Sequence, residues 1–183
     1  LGWLTGLQQL EMGGCLADDM GLGKTVQVLA LLECRRRFLA QHPDQQAPSL
    51  VVAPKSLVFN WAEEAKRFAP DMRVLNFTGI ERESLREQLR NCDLVLTTYG
   101  TLRRDIADLK ELTFDYAILD EAQAIKNAQS QSAKSCRLIR SRHRLAMTGT
   151  PIENHLGELW SLFEFINPGM LGASSAFQRF SKA

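Results

Sequence analysis

Six apolar runs, each only four or five residues long, alternate along the chain with longer stretches of helical period, and this alternation limits the possible folds more than any other feature. The runs lie at residues 14–17, 50–53, 73–77, 94–97, 116–119 and 144–147. Short runs without polar alternation fit strands covered on both faces. Parallel neighbours need long crossovers, and the spacings supply them. The expected fold is therefore α/β, a mostly parallel sheet with helices on both faces. The 183 residues suit one lobe with a core that needs no disulfide or metal staple. Two helices can be placed. Residues 25–39 follow directly on a glycine turn. Residues 153–166 set Leu156, Leu159, Trp160, Phe163 and Ile166 on one stripe, read as core, before Asn167-Pro168-Gly169. Residues 41–48, with two X-Pro steps, are the expected flexible connection.

Charge excludes a global positive field: 22 Lys and Arg stand against 21 Asp and Glu. Any nucleic-acid surface must be a local patch. Between residues 122 and 144 there are six cations and no acid, with Lys134, Arg137 and Arg140 at helical spacing. Such a run is read first as a solvated face, with contact to DNA or a partner domain as the alternative. No run of eighteen apolar residues is present, so no membrane span is expected. Cys15, Cys34, Cys92 and Cys136 form no C-x-x-C pair, which suits a reducing cytoplasm rather than a zinc or disulfide framework. The chain starts at Leu rather than Met, and a piece of a longer protein is expected.

The strongest local signal is Ala17-Asp18-Asp19-Met20-Gly21-Leu22-Gly23-Lys24-Thr25, between an apolar run and a helix. That is the setting of a phosphate loop. Gly21 and Gly23 can turn successive N–H groups inward with no Cβ in the way. The helix start adds its positive dipole end. Met20, Gly21, Leu22, Gly23, Lys24 and Thr25 are thus the candidate nucleotide-binding residues, with Lys24 on the β- and γ-phosphates and the Thr25 hydroxyl on Mg²⁺. The general phosphate-loop pattern has glycine where this chain has Asp18.

Ninety-six residues after Lys24, an apolar run ends in Asp120-Glu121. In a parallel sheet the carboxyl ends of strands face the ligand crevice. Asp120 can hold the Mg²⁺ shell, and Glu121 can orient and deprotonate an attacking water. Lys24, Asp120 and Glu121 are the candidate catalytic residues of a nucleoside-triphosphate hydrolase.

Taken together, these segments resemble the first motor lobe of the Swi/Snf-type ATPases of helicase superfamily two. Residues 13–27 resemble motif I, where this family has Asp in place of the usual glycine. Residues 50–61 resemble motif Ia, 94–102 motif Ib, 120–127 motif II in a bacterial or archaeal form, and 145–154 motif III. The resemblance implies a RecA-like P-loop NTPase fold, ATP and Mg²⁺ as cofactors, and DNA-stimulated hydrolysis that drives translocation along duplex DNA. It implies contact with the DNA backbone at Lys55, Ser56, Asn60, Thr98 and Tyr99. Lys55 and Ser56 could instead cap the helix that follows. It also implies that Gln123, Thr148, Gly149 and Thr150 couple the nucleotide to DNA and to a second RecA-like lobe. The segments that supply arginine fingers and grip adenine in this family have no counterpart here, so the lobe alone is expected to bind ATP weakly and turn it over slowly. A cytoplasmic location, nucleoid-associated in a bacterium, is expected. Two other readings remain: a nucleotide-gated DNA-binding module without useful turnover, and a P-loop regulator acting on proteins.

Overall fold

The computed structural model describes residues 2–10, 12–17, 23–149 and 156–172. In chain order the elements are α1 (Gly2–Gln9), β1 (Gly14–Leu16), α2 (Lys24–Ala40), β2 (Ser49–Ala53), α3 (Lys55–Phe68), β3 (Val74–Asn76), β4 (Leu94–Thr98), α4 (Tyr99–Leu109), β5 (Thr113–Leu119), α5 (Gln131–Leu138), β6 (Arg140–Met147) and α6 (Leu156–Ile166). The strands form one sheet in the order β1-β6-β5-β2-β4-β3, and every pairing is parallel. The expected sheet is therefore present, with each expected strand in it.

Alternation along the strands divides the core in two. Val51 lies opposite Leu96 of β4 and Ile118 of β5, and all three face α2 and α3. Leu50, one residue earlier, lies opposite Val95 and Ala117, and these face the side covered by α4, α5 and α6. Successive side chains point to opposite faces, so a strand sealed on both sides must be apolar at every step. β2 is buried at all five positions, and after the opening Ser49 it is apolar throughout residues 50–53. No helix among the described residues is long and apolar enough to cross a membrane.

Several expectations are corrected. β6 begins at Arg140 rather than 144, because its first half is Arg-Ser-Arg-His-Arg and carries no apolar signal. The cation run is consequently not one helical face: α5 stops at Leu138 and Arg140 opens a strand. Three of its cations are structural. Arg137 donates to the Ala128 carbonyl, Arg142 to that of Gln45, and Arg144 to those of Phe165 and Ile139. On α6 the buried face is Ser161, Leu162, Phe165 and Ile166, while Leu156 is exposed. The Ser161 hydroxyl reaches the Ile125 carbonyl at 2.6 Å, which turns a polar residue inward and rotates the apolar stripe. Residues 41–48 contain a single 3-10 turn, Pro43–Gln45, inside the lobe. Its end is tied down, since the Pro48 carbonyl accepts from the Asp115 amide at 2.8 Å. The charged segment Glu81–Arg90, also a 3-10 helix, joins β3 to β4.

Asp115, near the start of β5, is fully buried and meets the guanidinium of Arg35 from α2 through two hydrogen bonds of 2.9 and 2.7 Å. Arg142 stands 3.5 Å away. The pair fastens α2 to the central strand, and the Asp115 hydrogen bonds raise the pKa of Arg35 further above its ordinary value. Removing one partner strands the other charge. Asp115→Ala is expected to lower unfolding free energy by about 3–5 kcal/mol in urea denaturation, and the double change Arg35→Met, Asp115→Leu to recover most of that loss.

Candidate nucleotide site and its flanking edge

Because every strand runs the same way, every carboxyl end emerges on one edge of the sheet. The loop after β1 leads there to α2, the end of β2 to α3, that of β4 to α4, and β5 and β6 end beside them. β1 and β5 are separated by β6 alone, which is about 10 Å at the usual strand spacing. Groups ninety-six residues apart in sequence are thereby brought onto one cavity of about 260 Å³. Gly23, Lys24 and Thr25 line one side of it, and Asp120 and Glu121 line another.

Gly23 precedes α2 with φ +71°, a left-handed angle that glycine adopts without steric cost. No side chain caps α2. The donors of a helix's first turn are what phosphate oxygens engage.

Asp120 follows β5 and is almost wholly buried. Its backbone amide donates to the Val52 carbonyl at 2.9 Å. Its two carboxylate oxygens each accept one bond: Oδ2 from the Trp61 indole Nε1–H at 2.8 Å, and Oδ1 from the Glu121 amide at 2.9 Å. Burial raises the pKa of Asp120, the two hydrogen bonds oppose the rise, and the neighbouring Glu121 carboxylate adds to it. A raised carboxyl favours the folded state while protonated, and that advantage is lost as pH rises through its folded value. A cation beside the ionised group offsets this cost.

Glu121 is the only non-glycine residue with positive φ among those described, at 49°. Such angles cost about 1–3 kcal/mol and persist where the surroundings enforce them. Here the Gln123 amide donates to Glu121 Oε2 at 2.6 Å, and the Thr148 hydroxyl donates to Gln123 Oε1 at 3.1 Å. The three expected residues Glu121, Gln123 and Thr148 thus form one hydrogen-bonded chain from the end of β5 to the end of β6. Gly149 follows directly and is half-buried.

The cavity suits Mg²⁺. The Thr25 hydroxyl and the Asp120 carboxylate are oxygen donors, as that ion requires. Among the described residues no three His, Cys, Asp or Glu side chains form a metal cage. Glu64 of α3 also lines the cavity, and its Oε2 is buried with no hydrogen-bond partner. A hydrated cation would supply donors for such an oxygen.

The expected backbone-contact residues separate into three groups. Lys55 and Ser56 are exposed in the first turn of α3. Pro54 is the cap residue and no side-chain cap bond forms there, so the capping alternative has no hydrogen bond behind it. Thr98 caps α4, accepting from the Thr101 amide at 3.1 Å. Tyr99 is buried, its hydroxyl donating to the Asp120 carbonyl at 2.8 Å. Burial holds that hydroxyl well above its usual pKa. Its side chain supports the acidic strand end from inside and is not available to a nucleic acid. Asn60 lines the nucleotide cavity, one helical turn beyond Ser56. Met20, Gly21, Leu22 and Thr150 lie outside the described residues.

Trp61 and Glu64 were not expected in the site. They sit three apart on α3 with Asn60 beside them, and that spacing on a helix opening at motif Ia was the available signal.

The family pattern described as the SNF2-related domain matches residues 1–183. The TATA-binding protein-associated factor MOT1 of Saccharomyces cerevisiae is 40% identical over 190 residues, spanning 98% of this chain and 10% of that protein. An uncharacterized ATP-dependent helicase of Mycoplasma pneumoniae is 42% identical over 178 residues, spanning 96% of this chain and 17% of that protein. The Sulfolobus solfataricus SWI2/SNF2 ATPase core in complex with dsDNA superposes with a TM-score of 0.86 at 43% identity, covering 97% of this chain and 36% of that one. The chain therefore spans a small part of the relatives it matches. With its sheet order, its cavity and these likenesses together, the chain belongs to the SNF2-related family of Swi/Snf ATPases.

Proposed function

We propose that this chain is the ATP-binding lobe of a DNA-dependent ATPase that translocates along duplex DNA and remodels protein–DNA complexes. The observation that carries the reading is the single cavity shared by Lys24, Thr25, Asp120 and Glu121. When bound there, Mg²⁺ would supply positive charge that offsets charge on the phosphates. The first-turn amides of α2 and the Lys24 ammonium hold the phosphates. The Thr25 hydroxyl and the Asp120 carboxylate would hold the metal, Asp120 through water. Glu121 orients a water for in-line attack and takes its proton. The Gln123 amide fixes the Glu121 carboxylate, and Thr148 fixes Gln123. A binding module without turnover would have no use for a glutamate held in a costly backbone geometry at this point.

The DNA reading is supported by the edge itself. Lys55 and Ser56 project from the same side of the sheet as the nucleotide cavity, and the Sulfolobus relative is a complex with dsDNA. Donors aimed at phosphates position a duplex without reading its bases. The chain covers 36% of that ATPase core. We therefore assign the arginine donors to a second RecA-like lobe, reached through Gly149 and Thr150. Loss of such a donor slows phosphoryl transfer by about 10³–10⁵, so this lobe alone should turn ATP over slowly, and with only half of the nucleotide site it should bind ATP weakly. A reducing cytoplasm suits the four free cysteines.

Mg·ATP should raise the melting temperature of the protein, and Lys24→Ala should abolish that shift. Glu121→Gln should keep the shift while DNA-stimulated turnover in the full-length protein falls by about 10²–10⁴, the contribution of a positioned base. ATPase activity indifferent to duplex DNA would favour the regulator of proteins instead. Lys55→Ala should weaken duplex binding and reduce the slope of log K against log salt by about 1, the loss of one phosphate contact. An unchanged slope would remove Lys55 from the interface.

A further inference from the structure

We propose that Trp61 is a positioning residue for the metal ligand Asp120, and that through it α3 links the exposed Lys55 end of the lobe to the nucleotide cavity. The inference rests on the nucleotide-site reading above. Trp61 is 1% exposed and packs in the core between α2, α3 and the sheet. Packing alone asks only for a large apolar ring, which phenylalanine would supply. The indole nitrogen does something further, because it donates to Asp120 Oδ2 at 2.8 Å. An indole N–H is a donor only, so the bond has one polarity and holds an acceptor. The Glu121 amide fixes Oδ1 in the same way at 2.9 Å.

Two donors from two elements thus set the plane of the carboxylate, and each oxygen keeps a lone pair for a metal or its water. Ligating carboxylates held by such outer partners keep their orientation, and loss of a partner weakens metal affinity. The indole belongs to the helix whose first turn exposes Lys55 and Ser56, six and five residues earlier. At 1.5 Å per residue that is about 9 Å along a rigid rod. Displacement of α3 at its exposed end therefore moves the donor on Asp120. The neighbouring Glu64, with its buried unpartnered Oε2, sits on the same helix against the same cavity.

The test is the variant Trp61→Phe, which keeps an aromatic ring and loses the donor. ATP affinity is measured by calorimetry with Mg²⁺ and again in EDTA. The expected result is an affinity about tenfold lower with Mg²⁺, in the usual range for an outer partner of a metal ligand, and unchanged in EDTA. An equal loss in both conditions, or no loss in either, overturns the proposal and leaves the nucleotide site standing. If the unsubstituted protein shows no Mg²⁺-dependent ATP binding, the nucleotide reading and this proposal fall together. Should Trp61→Phe fail to fold, the unsubstituted protein still decides. Its three indole N–H resonances are assigned by Trp3→Phe and Trp160→Phe, which each remove one. The Trp61 resonance should move when Mg²⁺ is added to the ATP complex, and an unmoved resonance refutes the link.

Discussion

The uniform direction of the six strands is the constraint from which the remaining features follow. A single antiparallel strand would send its following loop to the far edge and take its functional residue with it. With all pairings parallel, the starts of α2, α3 and α4 and the ends of β5 and β6 converge without further design. The sheet order then sets the distances. β6 lies between β1 and β5, so the start of α2 and the acidic strand end line one cavity from separate elements. Thr148, at the end of that intervening strand, is thereby beside both.

β5 carries the electrostatic character of the lobe at its two ends. Asp115 near its start and Asp120 just beyond its end are both buried carboxylates on the central strand. They are treated in opposite ways. Asp115 has a guanidinium of α2 in bidentate contact and a second one close by, which completes its needs within the protein. Asp120 accepts from an indole and an amide, neutral donors that orient it without cancelling its charge. One end of the strand is finished by folding, and the other is completed by what binds.

Much of this was legible in the sequence, for reasons specific to each element. Strands covered on both faces bury few polar side chains, so β2 and β4 stand out as apolar runs at residues 50–53 and 94–96. The phosphate turn and Asp120-Glu121 are local patterns and could be read where they stood. The first half of β6 was hidden, because Arg142 and Arg144 bond carbonyls within the fold while looking like solvent-facing charge. Tyr99 and Asn60 lay in segments that pointed to DNA, yet long-range packing carries one under Asp120 and the other into the cavity. The Trp61 bond reaches a residue fifty-nine positions away, and the helical spacing around Trp61 does not name that partner. What escaped was partner choice, which depends on contacts between elements distant in sequence.

The left-handed backbone at Glu121 carries an evolutionary consequence. Glycine would occupy that angle without strain, so the substitution most comfortable for the fold is one that removes the carboxylate from the site. Selection for hardiness and selection for catalysis therefore pull this position in opposite directions. A lineage released from the need to hydrolyse nucleotide would be expected to drift toward glycine here, leaving an otherwise intact lobe as a relic of the motor.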